Sequence, residues 1–244
     1  MLFRSMKRAR VTGGSGTIGA AICRKLGASG HYVYVHAHQH LDKAQRVAAE
    51  IVATGGCAEA VRFDVTDALE TGRALHLLLD AGVVQILINN AGSNDDAPLV
   101  GMRHAQWSGV IDVVLHGFFN VTQPLLMPMI RARWGRIVNV ASVAAIAGNR
   151  GQANYAAAKA GLIAAGKSLS LEIARKGVTV NAVAPGIIES PMAEQAFDAE
   201  RIKDLVPMRR AGTPEEVAAV VGFLTTDAAS YISGQVLSIN GGMM

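Results

Sequence analysis

The chain predicts a single-domain α/β fold: a doubly wound parallel sheet of about seven strands with helices on both faces. Two observations lead there. Short, β-branched apolar runs alternate along the chain with amphipathic or alanine-rich stretches, the pattern of strands covered on both faces by crossover helices. Gly13, Asn90, Ser142 and Pro185 each stand just past such a run. Right-handed crossovers put every strand's C-terminal end on one edge, so these four segments converge on one crevice, where open α/β sheets bind ligands. With 244 residues and no linker-like stretch, one domain spanning 1–244 is expected.

The first strand, near Ala9 to Thr12, runs into Thr12-Gly-Gly-Ser-Gly-Thr-Ile-Gly19, which opens a helix. Glycines in that context let the backbone approach a pyrophosphate at a helix N-terminus, so Gly13, Ser15, Gly16, Thr17, Ile18 and Gly19 are cofactor-binding candidates. The second strand, Tyr32 to His36, ends where an acidic residue would hold the ribose 2′-hydroxyl of NAD. None occurs from His36 to His40, which favours NADP; the arginine that commonly grips a 2′-phosphate is also missing, and His38 is the cofactor-contacting candidate there. The third strand, Ala58 to Phe63, closes at Asp64-Val65, where an adenine amino group is met. The fourth, Ile86 to Asn89, closes in Asn89-Asn-Ala-Gly92, a plain turn or a cofactor-lining run that contributes Asn90, Ala91 and Gly92. The fifth, Gly135 to Ala141, delivers Ser142; the sixth, Val178 to Ala184, leads to Pro185-Gly186; the seventh is Gln235 to Ile239.

If Ala153 to Arg175 is a helix, Tyr155 and Lys159 sit one turn apart on one face. A neighbouring ammonium favours phenolate and pulls the tyrosine pKa down from about 10, as general acid or base work requires. The Ser142 hydroxyl can hydrogen-bond the same carbonyl oxygen. Taken alone, Tyr and Lys at this spacing are equally ordinary helix decoration; the converging segments are what turn them into a catalytic pair.

Half the residues are apolar and 17% are charged, and no uninterrupted apolar run approaches the roughly 20 residues of a membrane helix. The Met1-to-Ser5 start has no leader-like apolar region, so a cytoplasmic protein is expected. A net charge of +4 without a dense basic block does not indicate nucleic-acid binding; Arg131, Arg133, Arg136, Arg175 and Lys176 can instead attract an acidic substrate carrier. The two cysteines, Cys23 and Cys57, fit neither a disulfide framework nor a metal cluster, and His36, His38 and His40 are expected to be solvated loop histidines rather than ligands.

Together, Thr12 to Gly19, Asn89 to Gly92, Ser142, Tyr155, Lys159 and Pro185-Gly186 resemble the short-chain dehydrogenase/reductase family nearly end to end. Within it, 148–159, 180–186 and the ending 233–243 are most similar to 3-oxoacyl-acyl-carrier-protein reductases. The resemblance implies a Rossmann domain, NADPH as cofactor, hydride delivery to the 3-keto carbon, and Tyr155 as proton donor with Lys159 also on the nicotinamide ribose. It further implies that Asn90 and Ile188 line the cofactor and Ser190 keeps a hydroxyl for the nicotinamide carboxamide. About 187–210 covers the substrate, Arg133 and Lys176 face the acyl carrier protein, and the assembly is a homotetramer. The same fold also serves sugars, steroids and coenzyme A thioesters, and a weakened member serving as a partner subunit is the other alternative. Three positions depart from the pattern. Thr17 replaces a loop glycine, Arg10 stands in a strand where an apolar residue is usual, and Val114 replaces an asparagine that holds a water of the proton relay. Arg10 is expected to find a carboxylate or reach solvent, because an unpaired buried charge is costly.

Overall fold

The computed structural model describes residues 6–244. The Met1-to-Ser5 start, on which the leader expectation rests, lies outside the described residues. In chain order the elements are β1 (Arg8–Val11), α1 (Thr17–Ala28), β2 (Tyr32–Ala37), α2 (Leu41–Ala53), β3 (Cys57–Arg62), α3 (Ala68–Asp80) and β4 (Val84–Asn89). Then come α4 (His104–Ile111), a π-helical turn (Asp112–His116), α5 (Gly117–Arg131), β5 (Gly135–Val140), a one-turn α6 (Ala144–Ala147) and α7 (Ala153–Ile173). The chain closes with β6 (Val178–Pro185), α8 (Pro191–Ala196), α9 (Ala199–Leu205), α10 (Pro214–Leu224) and β7 (Val236–Ile239).

All seven strands pair in parallel in the order β3-β2-β1-β4-β5-β6-β7, so the winding reverses between β1 and β4 and opens a crevice at their C-terminal ends. The strands expected from β-branched runs lie where the pairing places them. Alternate residues of each strand serve opposite faces. Ala9, Val11, Val35 and Ile88 pack with Ile22, Leu26 and Val221 under α1, α2 and α10. Tyr34, Phe63, Leu87 and Ile137 pack with Leu75, Leu125 and Leu169 under α3, α5 and α7.

The helical stretch from His104 to Arg131 is long and apolar enough, by length and composition, to cross a membrane. It carries Asp112 and His116 midway, and Val110, Val114, Val121, Leu125 and Met129 are buried against the rest of the fold, so it is read as a core helix.

Arg10 contradicts the expectation set for it. It is fully buried, and none of its three guanidinium nitrogens has a hydrogen-bond partner among the described residues. Its register between Tyr34 of β2 and Leu87 of β4 aims it into the α3–α5 core, where the guanidinium stacks 4.3 Å from the Phe63 ring. Mid-strand placement in a central strand leaves the side chain no route to water. Desolvation pushes its pKa down to about 9.

Candidate active site

The glycine loop is tied down from the ends of two neighbouring strands, β4 and β2. Gly13 has φ of 61°, a left-handed conformation that favours glycine. A Cβ at Gly19 would collide with the Gly13 carbonyl oxygen and come within 2.8 Å of the Asn90 side-chain nitrogen. From β4, Asn90 Nδ2 donates to the carbonyls of Thr12 and Gly13 at 2.9 and 3.1 Å, while the Asn90 and Ala91 amides donate to Thr12 Oγ1, each at 2.9 Å. From β2, His36 Nδ1 accepts the Gly13 amide at 3.1 Å, and the His36 carbonyl accepts the Gly14 amide at 2.8 Å. His36 Nε2 in turn donates to the Phe63 carbonyl at 2.9 Å. Burial drives this ring's pKa down to about 3, so it stays neutral, as an acceptor at Nδ1 requires.

His36 is therefore not the solvated loop residue expected. It is a buried clamp that fixes the loop, and its signal was its place inside a strand covered on both faces. The first-turn amides of α1, which lack intrahelical acceptors, face the crevice from a cradle too tight for side chains at Gly13 and Gly19, and this fits a pyrophosphate. Gly16 caps α1 with a negative φ of −81°, and Thr17, the departure from the loop pattern, is its exposed first residue. Ile18, in the first turn of α1, packs against the core beneath that helix.

At the β2 and β3 ends, His38 and Asp64 stand together, His38 Nε2 lying 3.5 Å from Asp64 Oδ2. Asp64 Oδ1 accepts from the Thr66 amide and hydroxyl. Val65 is buried below them, its carbonyl accepting from Asn120 Nδ2 of α5.

Ser142, Tyr155 and Lys159 meet at the C-terminal end of β5. The Ser142 hydroxyl accepts the Ala144 amide at 3.1 Å and stands within reach of the Tyr155 phenol, whose ionised form it favours. The Val143 amide donates to the Pro185 carbonyl, joining this corner to the end of β6. Tyr155 and Lys159 share a face of α7, as their spacing requires, but the electrostatics differ from expectation. Lys159 Nζ donates to the Val140 carbonyl at 2.7 Å and sits 5.8 Å from the Tyr155 ring centroid. Burial raises the phenol's pKa above its ordinary value; the Ser142 hydrogen bond opposes the rise and the Asp96 carboxylate adds to it. Burial, rather than the neighbouring ammonium, sets the direction of the phenol's pKa. Desolvation lowers Lys159 itself to about 8. A protonated phenol at neutral pH is a proton donor, and Gly92 lies close enough that a Cβ there would stand 3.3 Å from Lys159 Nζ.

The remaining candidates are positioned less directly. Gly186 donates its amide to Ile239, and a Cβ there would come within 2.9 Å of Asn240 Cα. Ile188 is buried and bridges to Gly212. Ser190 Oγ accepts the Ala193 amide and caps α8, and its O–H stays able to donate elsewhere. The segment expected to cover the substrate, whose shape the sequence did not give, forms the short helices α8 and α9. Reciprocal backbone bonds between 187–189 and Gly212 pin its base, as does the Arg210–Glu216 pair at 2.9 and 2.6 Å. Val114 lies in the π-helical turn, buried with Val110, Ala158 and Leu162, an apolar plug beside α7. Arg133 and Lys176 precede β5 and β6, so both are exposed at the sheet edge opposite the crevice, roughly 20 Å of strand away. They do not face this chain's own site.

A glycine cradle at the β1–β4 switch point and a Ser-Tyr-Lys trio facing it define a nicotinamide-dependent oxidoreductase acting on CH–OH or C=O groups. The chain belongs to the short-chain dehydrogenase/reductase family, and a family model described as "Enoyl-(Acyl carrier protein) reductase" matches residues 13–244. It is 45% identical over 238 residues to the 3-oxoacyl-[acyl-carrier-protein] reductase of Synechocystis sp., covering 97% of this chain and 96% of that one. It is 41% identical over 240 residues to the 3-oxoacyl-[acyl-carrier-protein] reductase FabG of Staphylococcus aureus, covering 97% and 98%. A nodulation protein G of Rhizobium sp. is 42% identical over 241 residues, covering 97% and 96%.

Proposed function

We propose that this protein reduces the 3-keto group of an acyl thioester carried on acyl carrier protein, with NADPH as reductant, in the cytoplasm. The observation that carries the reading is the convergence of two donors, the Ser142 hydroxyl and a protonated Tyr155 phenol, on the crevice opposite the glycine cradle. When bound, the nicotinamide supplies the hydride. Tyr155 gives its proton to the oxygen as the carbonyl becomes an alcohol, and Ser142 stabilises the developing negative charge. Lys159, held against Val140, presents its other protons toward the ribose side and the phenol. The names of the relatives support the 3-oxoacyl substrate, and the absence of any carboxylate from His36 to His40 supports NADP over NAD.

Arg133 and Lys176 serve this reading only through assembly. A two-fold pairing of antiparallel helices would carry the basic edge of one subunit toward the crevice of another, and there the pair can attract an acidic carrier. Phe119 and Met127 on α5 and Leu171 on α7 are exposed apolar residues of the kind such a homotetramer would cover.

The test is NADPH consumption with acetoacetyl-acyl-carrier protein beside acetoacetyl-coenzyme A, a crotonyl thioester and simple ketones. The expected order places the carrier-bound 3-oxo substrate first. Preferential turnover of the crotonyl thioester would replace this reading with an enoyl reductase.

A further inference from the structure

The start of α7, just ahead of Tyr155, is held by a side chain that the oxidoreductase reading leaves unused. Gln152 caps the helix with its carbonyl, which accepts the Ala156 amide at 2.7 Å, but its side chain turns outward and donates to Asp96 Oδ2 at 2.7 Å. The Tyr155 amide lies in the first turn, where α-helical bonding provides no acceptor. Asn154 provides one: its Oδ1 accepts that amide at 2.8 Å. The same side chain donates from Nδ2 to backbone carbonyls of two other elements, Asp95 in the loop after β4 at 3.0 Å and Gln106 in α4 at 2.9 Å. These two segments are themselves joined, because Gln106 Nε2 donates to Asp95 Oδ1 at 2.6 Å, while Gln106 Oε1 accepts from the Arg103 amide and guanidinium, each at 3.1 Å. Asn154 is fully buried, and both ends of its amide are engaged.

We propose that Asn154 is a positioning residue for Tyr155: it joins the first turn of α7 to the β4 loop and to α4, and so fixes where the phenol stands in the crevice. This rests on the role proposed for Tyr155. Asn154 acts on that residue in two ways. Its Oδ1 holds the Tyr155 backbone directly. Its Nδ2 holds α4 through the Gln106 carbonyl, and α4 carries Val110, part of the apolar cluster against which the Tyr155 ring packs. The other ties between the β4 loop and the start of α7 are weaker anchors. The Gln152–Asp96 bond is exposed, where water competes for both partners, and the Ala97 amide to the Gly151 carbonyl, at 2.9 Å, ends outside the helix. At a fully buried side chain, a lost partner leaves polar groups that water does not readily satisfy. The phenol's place matters because proton transfer needs an approach of about 2.6–3.2 Å between heavy atoms, and a displacement of about 1 Å can cost on the order of 10²-fold in rate.

Asn154→Ala removes all three bonds. Asn154→Asp keeps an oxygen for the Tyr155 amide, at a helix start that favours a carboxylate, and removes both donors, so it serves as the second variant where alanine fails to fold. Turnover of the carbonyl substrate that the unaltered protein reduces fastest is expressed per NADPH-binding site, which discounts misfolded protein. Both variants are expected to lower kcat on the order of 10- to 100-fold while the NADPH dissociation constant stays close to that of the unaltered protein. In a Tyr155→Phe background the same substitutions should cost little more, because the group they position is gone. Amide hydrogen exchange needs no substrate: the Ala97 amide should exchange faster in both variants, and the Tyr155 amide in Asn154→Ala. Unchanged kcat, an equal fold-loss in both backgrounds, or unchanged exchange at these amides overturns the proposal. Near-normal turnover by Tyr155→Phe alone would instead overturn the role of Tyr155, and the exchange result would still report whether Asn154 holds the start of α7.

Discussion

Replacing Arg10 by leucine should stabilise this protein. The guanidinium is fully buried without a hydrogen-bond partner among the described residues, and the fall of its pKa from 12.5 to about 9 measures what burial costs the charged form. At about 1.4 kcal/mol per unit, that is on the order of 5 kcal/mol against folding at neutral pH. Stacking on Phe63 returns about 2 kcal/mol. Leucine removes both terms and keeps the site apolar among Tyr34, Leu75 and Leu87. The net gain is about 3 kcal/mol, the size found when buried charges give way to well-packed apolar groups. In a domain of this length it corresponds to a Tm rise of roughly 6–12 °C. The pH dependence has a definite sign. A base whose folded pKa is depressed destabilises the fold fully below that pKa, and the penalty lifts as pH rises from about 9 toward 12.5. Urea unfolding of both proteins at equal concentration, at pH 7 and again near pH 10, should show the advantage of Arg10→Leu shrinking at the higher pH. If Arg10→Leu and the more space-filling Arg10→Met both destabilise at pH 7, the charge is paired or hydrated and the reasoning is wrong.

Placing Asp at Ala37 should shift cofactor preference toward NADH, through a ribose acceptor and repulsion of a 2′-phosphate, read as fluorescence-titrated dissociation constants; tighter NADH than NADPH binding by the unaltered protein contradicts the NADP reading. Val114→Asn puts a polar group into the apolar plug of Val110, Ala158 and Leu162, so it should lower stability by about 1–3 kcal/mol while raising turnover through a restored water. The absence of a solvent isotope effect on the unaltered enzyme's turnover would show that proton resupply does not limit it. Light scattering across a dilution series, with activity assayed in parallel, should reveal a tetramer whose activity falls as it dissociates; a fully active monomer throughout would break the link between assembly and catalysis.

The sheet was legible because β-branched runs and their punctuation recur at every strand, and Ser142, Tyr155 and Lys159 converged because strand ends and helix periodicity both pointed at one edge. What escaped the sequence depends on through-space partners. The acceptor for Lys159 is a backbone carbonyl at Val140, which no residue type announced. The clamp made by His36 needs the β1–β2–β3 pairing before its two ring nitrogens find Gly13 and Phe63. Asp96 and Gln152 stand 56 residues apart and meet only once the β4 loop folds over α7. The basic pair Arg133 and Lys176 looked like a rim of the site until the strands they precede fixed them on the far edge.

The central claim is that Tyr155 donates the proton in a nicotinamide-dependent carbonyl reduction. The most direct test is Tyr155→Phe, with NADPH binding by fluorescence and reduction of acetoacetyl-acyl-carrier protein measured on the same preparation. Loss of the donor should cut turnover by about 10²- to 10⁴-fold while the NADPH dissociation constant stays close to that of the unaltered protein. Near-normal turnover by Tyr155→Phe would contradict it.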